Sequence, residues 1–135
     1  MSIVIKTMKR FILPAIAALL AVNVYAGQYP EITVPELKAA ISAKQVVLLD
    51  ANGTDKWAKG HIPSAIDFTG AKDKLANLLP KDKGALVVAY CGGPRYRAYE
   101  GAAKAAEKLG YTNVKHLTAG ISGWQAAGEK MDSGN

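Results

Sequence analysis

The chain holds one cysteine, and the residues around it have the types and spacing for covalent chemistry. Cys91 lies in the run YCGGPRYRA, with Gly92 and Gly93 directly after it and Arg95 and Arg97 close behind. A thiolate is the nucleophilic form of cysteine, and arginine side chains or a helix N-terminus stabilise it. The apolar run ALVVAY comes before the thiol, and the alanine-rich run AYEGAAKAAEKLG follows. The pattern predicts a nucleophile between a strand and a helix.

The two glycines let the backbone turn tightly beside the thiol, because glycine has few steric limits. Successive N–H groups in such a turn form an anion-binding nest, and the positive end of a following helix strengthens it. Pro94 lacks an N–H and removes one donor. We therefore predict Cys91 as the catalytic residue and the remainder of the loop as substrate-binding residues: Gly92, Gly93, Pro94, Arg95, Tyr96 and Arg97.

The first 26 residues have the pattern of a secretory signal peptide. Three positive residues precede the apolar run FILPAIAALLAVNV, and the last residue of this run begins the short segment VYA at 24–26. The apolar run is shorter than the about 20 residues that a membrane-spanning helix needs. We predict a cut after Ala26, a periplasmic or secreted location, and a mature domain of residues 27–135 without stable membrane association. The alternative is an uncleaved membrane anchor.

Export makes the single cysteine more informative. Exported proteins use cysteines mostly in disulfide pairs, and a chain with one cysteine cannot form an internal disulfide. A leftover thiol in this setting indicates a reactive or intermolecular role. The alternative is a buried cysteine that serves as a small apolar residue.

The charge of the chain favours small anions over nucleic acid as partners. The formal net charge of +6 falls to +3 without the three positive residues of segment 1–26. The remaining lysines are scattered singly, without the basic stripe and interleaved aromatic residues that nucleic-acid binding favours.

Apolar runs and helical patterns alternate along the rest of the chain and must position the thiol. Strands are predicted at VVLLD, ALVVAY and TNVKHL, and helices at about 35–43, 72–79, 97–109 and 120–128. Continuous apolar strands separated by helices predict one α/β domain with a central parallel sheet and helices on both faces. Ligands of such folds bind at the carboxyl ends of the strands, where Asp50 and Cys91 both fall. This placement favours a functional thiol over a buried one.

The other polar residues are interpreted as structural. His61 is expected to hold the turn GHIP by hydrogen bonds, and Asp50 is expected to bind nearby loop amides. Trp57 and Trp124 are expected to pack on the sheet. His116 has no second ligand near it in the sequence, which also lacks a cysteine and histidine cluster of zinc spacing. We therefore expect neither a metal site nor a cofactor.

Several segments resemble the rhodanese-like (thiosulfate sulfurtransferase) family in its small, exported, single-domain form. The segment LLDANGTDKWAKGHIPSAIDF resembles the first signature of that family, in which a strand ends in Asp and a GHIPGA-like turn follows. The segments AYCGGPRYRA, LGYTNV and TAGISGWQAAG resemble its second half, in the expected order. The resemblance runs from about Ile32 to Gly128 and implies one rhodanese-like domain at 27–135.

The resemblance implies sulfur transfer by covalent, two-step catalysis. Cys91 would take the outer sulfur of a small anionic donor such as thiosulfate, or of a persulfide, and a thiol or cyanide would then remove it. The loop amides of Gly92, Gly93, Arg95 and Tyr96 would stabilise the persulfide anion. The arginines of the loop would attract the donor, and no metal or cofactor would be needed.

Three positions depart from the family pattern. The usual Asp-x-Arg after the first strand is Asp-Ala-Asn at 50–52, the arginine expected five residues after the cysteine is Tyr96, and the usual Gly-Gly before the last helix is Ala-Gly at 119–120. These departures concern the substrate and the loop geometry more than the fold.

Two other functions stay open from the sequence. The spacing Cys-x5-Arg, from Cys91 to Arg97, is also that of cysteine phosphatases and related arsenate reductases, where amides and an arginine fork hold a tetrahedral oxyanion. Tyr90 stands where those enzymes usually have histidine, and Pro94 interrupts the arc of amides. A non-catalytic persulfide carrier or binding module is the third possibility.

Overall fold

The computed structural model describes residues 29–134. This range contains one four-stranded sheet. Each pair of neighbouring strands is parallel. The strands are β1 Val47–Asp50, β2 Ile66–Asp67, β3 Leu86–Tyr90 and β4 Asn113–His116, in the spatial order β2-β1-β3-β4. The predicted parallel sheet is confirmed, and its two central strands, β1 and β3, are those that end at Asp50 and just before Cys91.

The strands alternate their side chains between two separate cores, as a pleated strand requires. Leu49, Val87 and Ala89 face one core, while Leu48, Val88 and Tyr90 face the other. The helices are α1 Val34–Ser42, α2 Thr54–Lys59, α3 Phe68–Ala71, α4 Leu75–Leu78, α5 Tyr99–Lys108 and α6 Gly120–Ala126. Helices α3, α4 and α5 contribute to the first core, and α1 and α6 contribute to the second. The prediction of helices on both faces is confirmed.

The structure differs from the sequence prediction at two places. Strand β2 lies in a segment for which no strand or helix is predicted, and it pairs with the end of β1 through Asp50 and Asp67. The continuous helix predicted at 72–79 is divided into a 3-10 turn, Lys72–Lys74, and α4, because Lys74 has a ψ angle of 1°, outside the helical region. Periodicity in the sequence does not report single-residue departures of this kind.

The predicted signal peptide, residues 1–26, lies outside the described residues, as do residues 27, 28 and 135. Within the described range 29–134, no helix is long and apolar enough to cross a membrane. The cleavage site and the exported location stay predictions.

Candidate active site

Cys91 is the first residue after β3, at the carboxyl edge of the sheet and beside the end of β1. Its residue surface is only 1% exposed. The thiol donates to the backbone carbonyl oxygen of Tyr96, with 3.6 Å between Sγ and O. The loop therefore closes over the sulfur from the Tyr96 side, and access to the sulfur depends on the pocket beside it.

That pocket has a volume of about 330 Å³ and contains residues from both central strand ends. The loop contributes Cys91, Gly92 and Tyr96, while Asn52 and Lys56 come from the segment after β1. Its remaining lining residues are Ala51, Gly60, Ala98 and Ile121. Lys56 is thus the cationic side chain of the sulfur pocket, a position that the sequence interpretation assigned to arginines.

Asn52 adds a second polar group to the same pocket. Its backbone amide donates to Asp50 Oδ1 at 2.7 Å. Its side-chain Nδ2 is buried and has no hydrogen-bond partner within residues 29–134. Asn52 also acts on the neighbouring carboxyl group, because burial raises the pKa of Asp50 while the side chain and backbone amide of Asn52 oppose that rise. Asn52 therefore links the sulfur pocket to the buried end of β1.

The glycines of the loop pack closely against two side chains. A Cβ on Gly93 would lie 2.8 Å from Ser122 Oγ, and one on Gly92 would lie 3.2 Å from the ring of Tyr96. The amides of Gly92, Gly93 and Arg95 make no hydrogen bond within the described residues. The amide of Tyr96 donates to the Gly93 carbonyl at 3.2 Å, so three of the four expected amide donors stay free.

The arginines lie on the other side of the loop. Arg95 and Arg97 line a different pocket, of about 220 Å³, together with Glu31, Pro94, Tyr96, Tyr99, His116 and Thr118. Arg97 Nε donates to Glu100 Oε1 at 3.1 Å, and the Arg97 side chain is 83% exposed. Of the predicted binding residues, the structure brings Gly92 and Tyr96 to the sulfur pocket and places Pro94, Arg95 and Arg97 around the second one.

Asp50 ties the ends of the two central strands together. It is fully buried, and its Oδ2 accepts a hydrogen bond from the Tyr90 hydroxyl at 2.5 Å. The same hydroxyl accepts from the Ile62 amide at 3.1 Å. Burial raises the pKa of the Asp50 carboxyl, against the opposing effect of the Tyr90 bond. This arrangement agrees with the structural role expected of Asp50 and gives Tyr90 a structural role as well.

The two histidines are held by the fold in different ways. The ring of His61 stacks on Trp57 with centroids 4.3 Å apart, and its Nδ1 lies 2.8 Å from the Trp57 carbonyl oxygen. His116 stacks on Tyr99 at 3.3 Å, and burial lowers the pKa of its imidazole to about 4. Within residues 29–134 no group of histidine, cysteine, aspartate or glutamate side chains is placed to hold a metal ion.

The first turn of α6 packs against the cysteine loop and binds its carbonyl groups. The amides of Ile121 and Ser122 donate to the carbonyls of Cys91 (2.9 Å) and Gly92 (3.0 Å). Gly120 has a φ of +61°, and a Cβ there would lie 2.5 Å from Gly93 N and 2.7 Å from Cys91 O. Only glycine permits this approach, which explains why the GISGW segment accompanies the cysteine loop.

The sequence interpretation did not name Lys56, Asn52 or Ile121 as site residues. A signal for the first two existed, because ligands of parallel sheets bind beside neighbouring strand ends, and both residues follow the strand that ends at Asp50. No local signal marks Ile121, because its position depends on how α6 packs against the loop.

The site has three main features, which are a thiol at a strand end, a glycine loop over the thiol and a helix packed behind the loop. The family described as "Rhodanese-like domain" matches residues 33–127. The chain belongs to this family. The match includes both central strands, the cysteine loop and α6.

The chain is also similar to individual proteins. The chain is 34% identical over 119 residues to the HTH-type transcriptional regulator Rv0324 of Mycobacterium tuberculosis, covering 87% of this chain and 51% of the relative. The chain thus spans about half the length of that curated relative.

Among solved structures, the BH2092 protein of Bacillus halodurans has a TM-score of 0.68 at 25% identity, covering 78% of this chain and 77% of that one. A thiosulfate sulfurtransferase from Pseudomonas aeruginosa has a TM-score of 0.64 at 29% identity, covering 79% of this chain and 21% of that one.

Proposed function

We propose that this rhodanese-like domain is a sulfurtransferase that carries sulfane sulfur as a persulfide on Cys91. The observation that supports this most directly is the pocket of about 330 Å³ that Cys91 and Lys56 both line. A cationic pocket beside a thiol suits a small anionic sulfur donor such as thiosulfate.

In the first step the Cys91 thiolate attacks the outer sulfur of thiosulfate. A new S–S bond forms on Cys91, the S–S bond of the donor breaks, and sulfite leaves with its electron pair. Lys56 binds the sulfonate end of the donor. The charge is conserved, because a thiolate and a dianion become a persulfide anion and sulfite.

In the second step an acceptor thiolate or cyanide attacks the terminal sulfur of the persulfide. The Cys91–S bond breaks, and the Cys91 thiolate is restored as the leaving group. The free amides of Gly92, Gly93 and Arg95 are the donors that stabilise the negative charge on the bound sulfur. A carrier that passes sulfur without turnover on thiosulfate uses the same intermediate.

The oxyanion-enzyme alternative has less support from the loop. Such an enzyme needs the arginine fork over the anion at the thiol. Arg97 is paired with Glu100 and lines the second pocket instead. Pro94 also leaves the loop without one amide.

Intact-mass measurement tests the proposal. The protein is incubated with thiosulfate, and Cys91→Ser serves as the control because it keeps the size of the side chain but not the thiol. The expected result is a mass gain of one sulfur atom in the native protein and none in the variant. No gain from thiosulfate or from a polysulfide, together with release of phosphate from a generic phosphoester, would favour the alternative.

A further inference from the structure

Residues 94–97, here called the loop tip, stand out from the protein surface next to the sulfur pocket. All four residues are exposed. Tyr96 is 64% exposed, and Tyr96 and Leu78 are the exposed large apolar residues of the range 29–134. Exposed tyrosine and arginine side chains are the types that protein interfaces favour. The loop tip therefore has the composition of a contact surface.

The cations of the loop tip differ from the others on the domain. Arg95 and Arg97 are the arginines of the described range, where every other basic side chain apart from histidine is a lysine. The planar guanidinium fork matches a carboxylate in a two-point contact that lysine does not make. The Nε of Arg97 donates to Glu100, and its two Nη groups can donate to other partners.

Tyr96 connects this cationic surface to the reacting sulfur. Tyr96 lines both the sulfur pocket and the pocket that Arg95 and Arg97 line. Any chain that inserts a thiol beside Cys91 over Tyr96 must place its flanking residues against the arginines. Glu31 is the one carboxylate among the residues that line the second pocket, and it weakens the positive field there.

We propose that the loop tip docks a protein acceptor whose thiol is flanked by acidic residues. This inference rests on the proposed function, because the docked thiolate attacks the terminal sulfur of the Cys91 persulfide and Cys91 leaves with the electron pair. The proton of the acceptor thiol passes to solvent. The two arginines bind the flanking carboxylates, and Tyr96 packs against the acceptor backbone.

The test uses three synthetic peptides with one cysteine flanked by glutamate, glutamine or lysine. Persulfide-loaded protein is mixed with each peptide at low salt, and the second-order rate of sulfur transfer is measured. We expect the glutamate peptide to react about five-fold faster than the glutamine peptide, as one or two exposed ion pairs allow, and the lysine peptide to react most slowly. Salt should reduce the difference.

Two double variants test whether the arginines of the loop tip cause the difference in transfer rate. In Arg95→Gln/Arg97→Gln the ratio of the glutamate to the glutamine rate should fall to about one, whereas Lys104→Gln/Lys108→Gln removes two exposed charges from α5 and should keep the ratio. Because the readout is a ratio within one protein, any change in loading cancels. Equal rates for all three peptides with the native protein, or an unchanged ratio in the arginine variant, would refute the docking surface.

A binding measurement separates this inference from the proposed function. Labelled peptides with serine in place of cysteine are titrated with unloaded protein, and their fluorescence anisotropy is recorded. If Cys91 accepts no sulfur but the glutamate peptide still binds best and loses its advantage in the arginine variant, the docking surface stands and the sulfurtransferase proposal fails. If Cys91 accepts sulfur but no peptide is preferred, only the docking surface fails.

Discussion

Cys91 shares its pocket with Lys56, while the two arginines of the cysteine loop line another pocket. The loop sequence alone pointed to the arginines, because they are close to the cysteine along the chain. The backbone turn from Gly93 to Tyr96 leaves Tyr96 beside the sulfur and places Arg95 and Arg97 in the other pocket. Nearness in sequence is therefore a poor guide to which cation faces a nucleophile inside a tight turn.

We expect Lys56→Gln to lower kcat/KM for thiosulfate about five-fold, the size of one exposed ion pair. Lys59→Gln is the matched control, since Lys59 lies on the same helix, is also exposed and does not line the pocket. Steady-state rates with thiosulfate and cyanide measure both variants. Equal losses in the two variants would show a general charge effect and remove Lys56 from the donor site.

Helix α6 acts on the site as an element, through its first turn. Its amides hold the Cys91 and Gly92 carbonyls, and Trp124 anchors its other end by donating from Nε1 to the Lys130 carbonyl oxygen at 2.8 Å. Trp124 is buried in the core shared with α1. The loop thus takes its shape from a helix about 30 residues further along the chain, held in place by packing.

Substitution of Gly120 tests whether the contacts between α6 and the cysteine loop matter beyond the strain of a positive φ angle. Gly120→Ala places a Cβ against three backbone atoms of the loop, the nearest at 2.5 Å. We expect it to lower the free energy of unfolding by about 3 kcal/mol, from positive φ and overpacking together. Persulfide formation should slow at least about ten-fold, because the loop must shift.

Gly128→Ala is the control for that prediction. Gly128 has a φ of +74°, and a Cβ at this position would have no neighbouring atom within 4 Å. The variant should lose about 1 kcal/mol from strain alone and keep its rate of persulfide formation. Urea denaturation and mass-detected loading measure the two effects, and a normal loading rate in Gly120→Ala would contradict this role of the α6 contacts.

At the scale of the whole molecule, the sheet followed from the sequence because continuous apolar runs such as VVLLD and ALVVAY require burial on both faces. The carboxyl-edge placement of Asp50 and Cys91 followed from the same rule. The two-residue strand β2 escaped prediction, since a strand that short at a sheet edge has no periodic pattern. Lys56 and Ile121 escaped it because their places beside the sulfur depend on the packing of separate helices.

The pH dependence of the stability of the fold involves the buried imidazole of His116. Burial lowers the pKa of His116 from 6.5 to about 4, while Glu31 and Glu100 act weakly in the opposite direction. As the pH falls below 6.5, the imidazole takes a proton in the unfolded chain before it does so in the folded one. The stability associated with His116 is therefore present above pH 6.5 and is lost as the pH falls towards 4.

We expect the free energy of unfolding of the native protein to fall by on the order of 2 kcal/mol between pH 6.5 and 4 because of His116. This value is the free energy that the pKa shift represents, reduced because the imidazole is partly solvated. His116→Gln cannot titrate there, so the difference in unfolding free energy between the two proteins should shrink as the pH falls. Urea denaturation at several pH values measures that difference, and Asp50, whose raised pKa acts in the opposite sense, cancels from it. A difference that stays constant with pH would show that His116 is as easily protonated in the fold as in water.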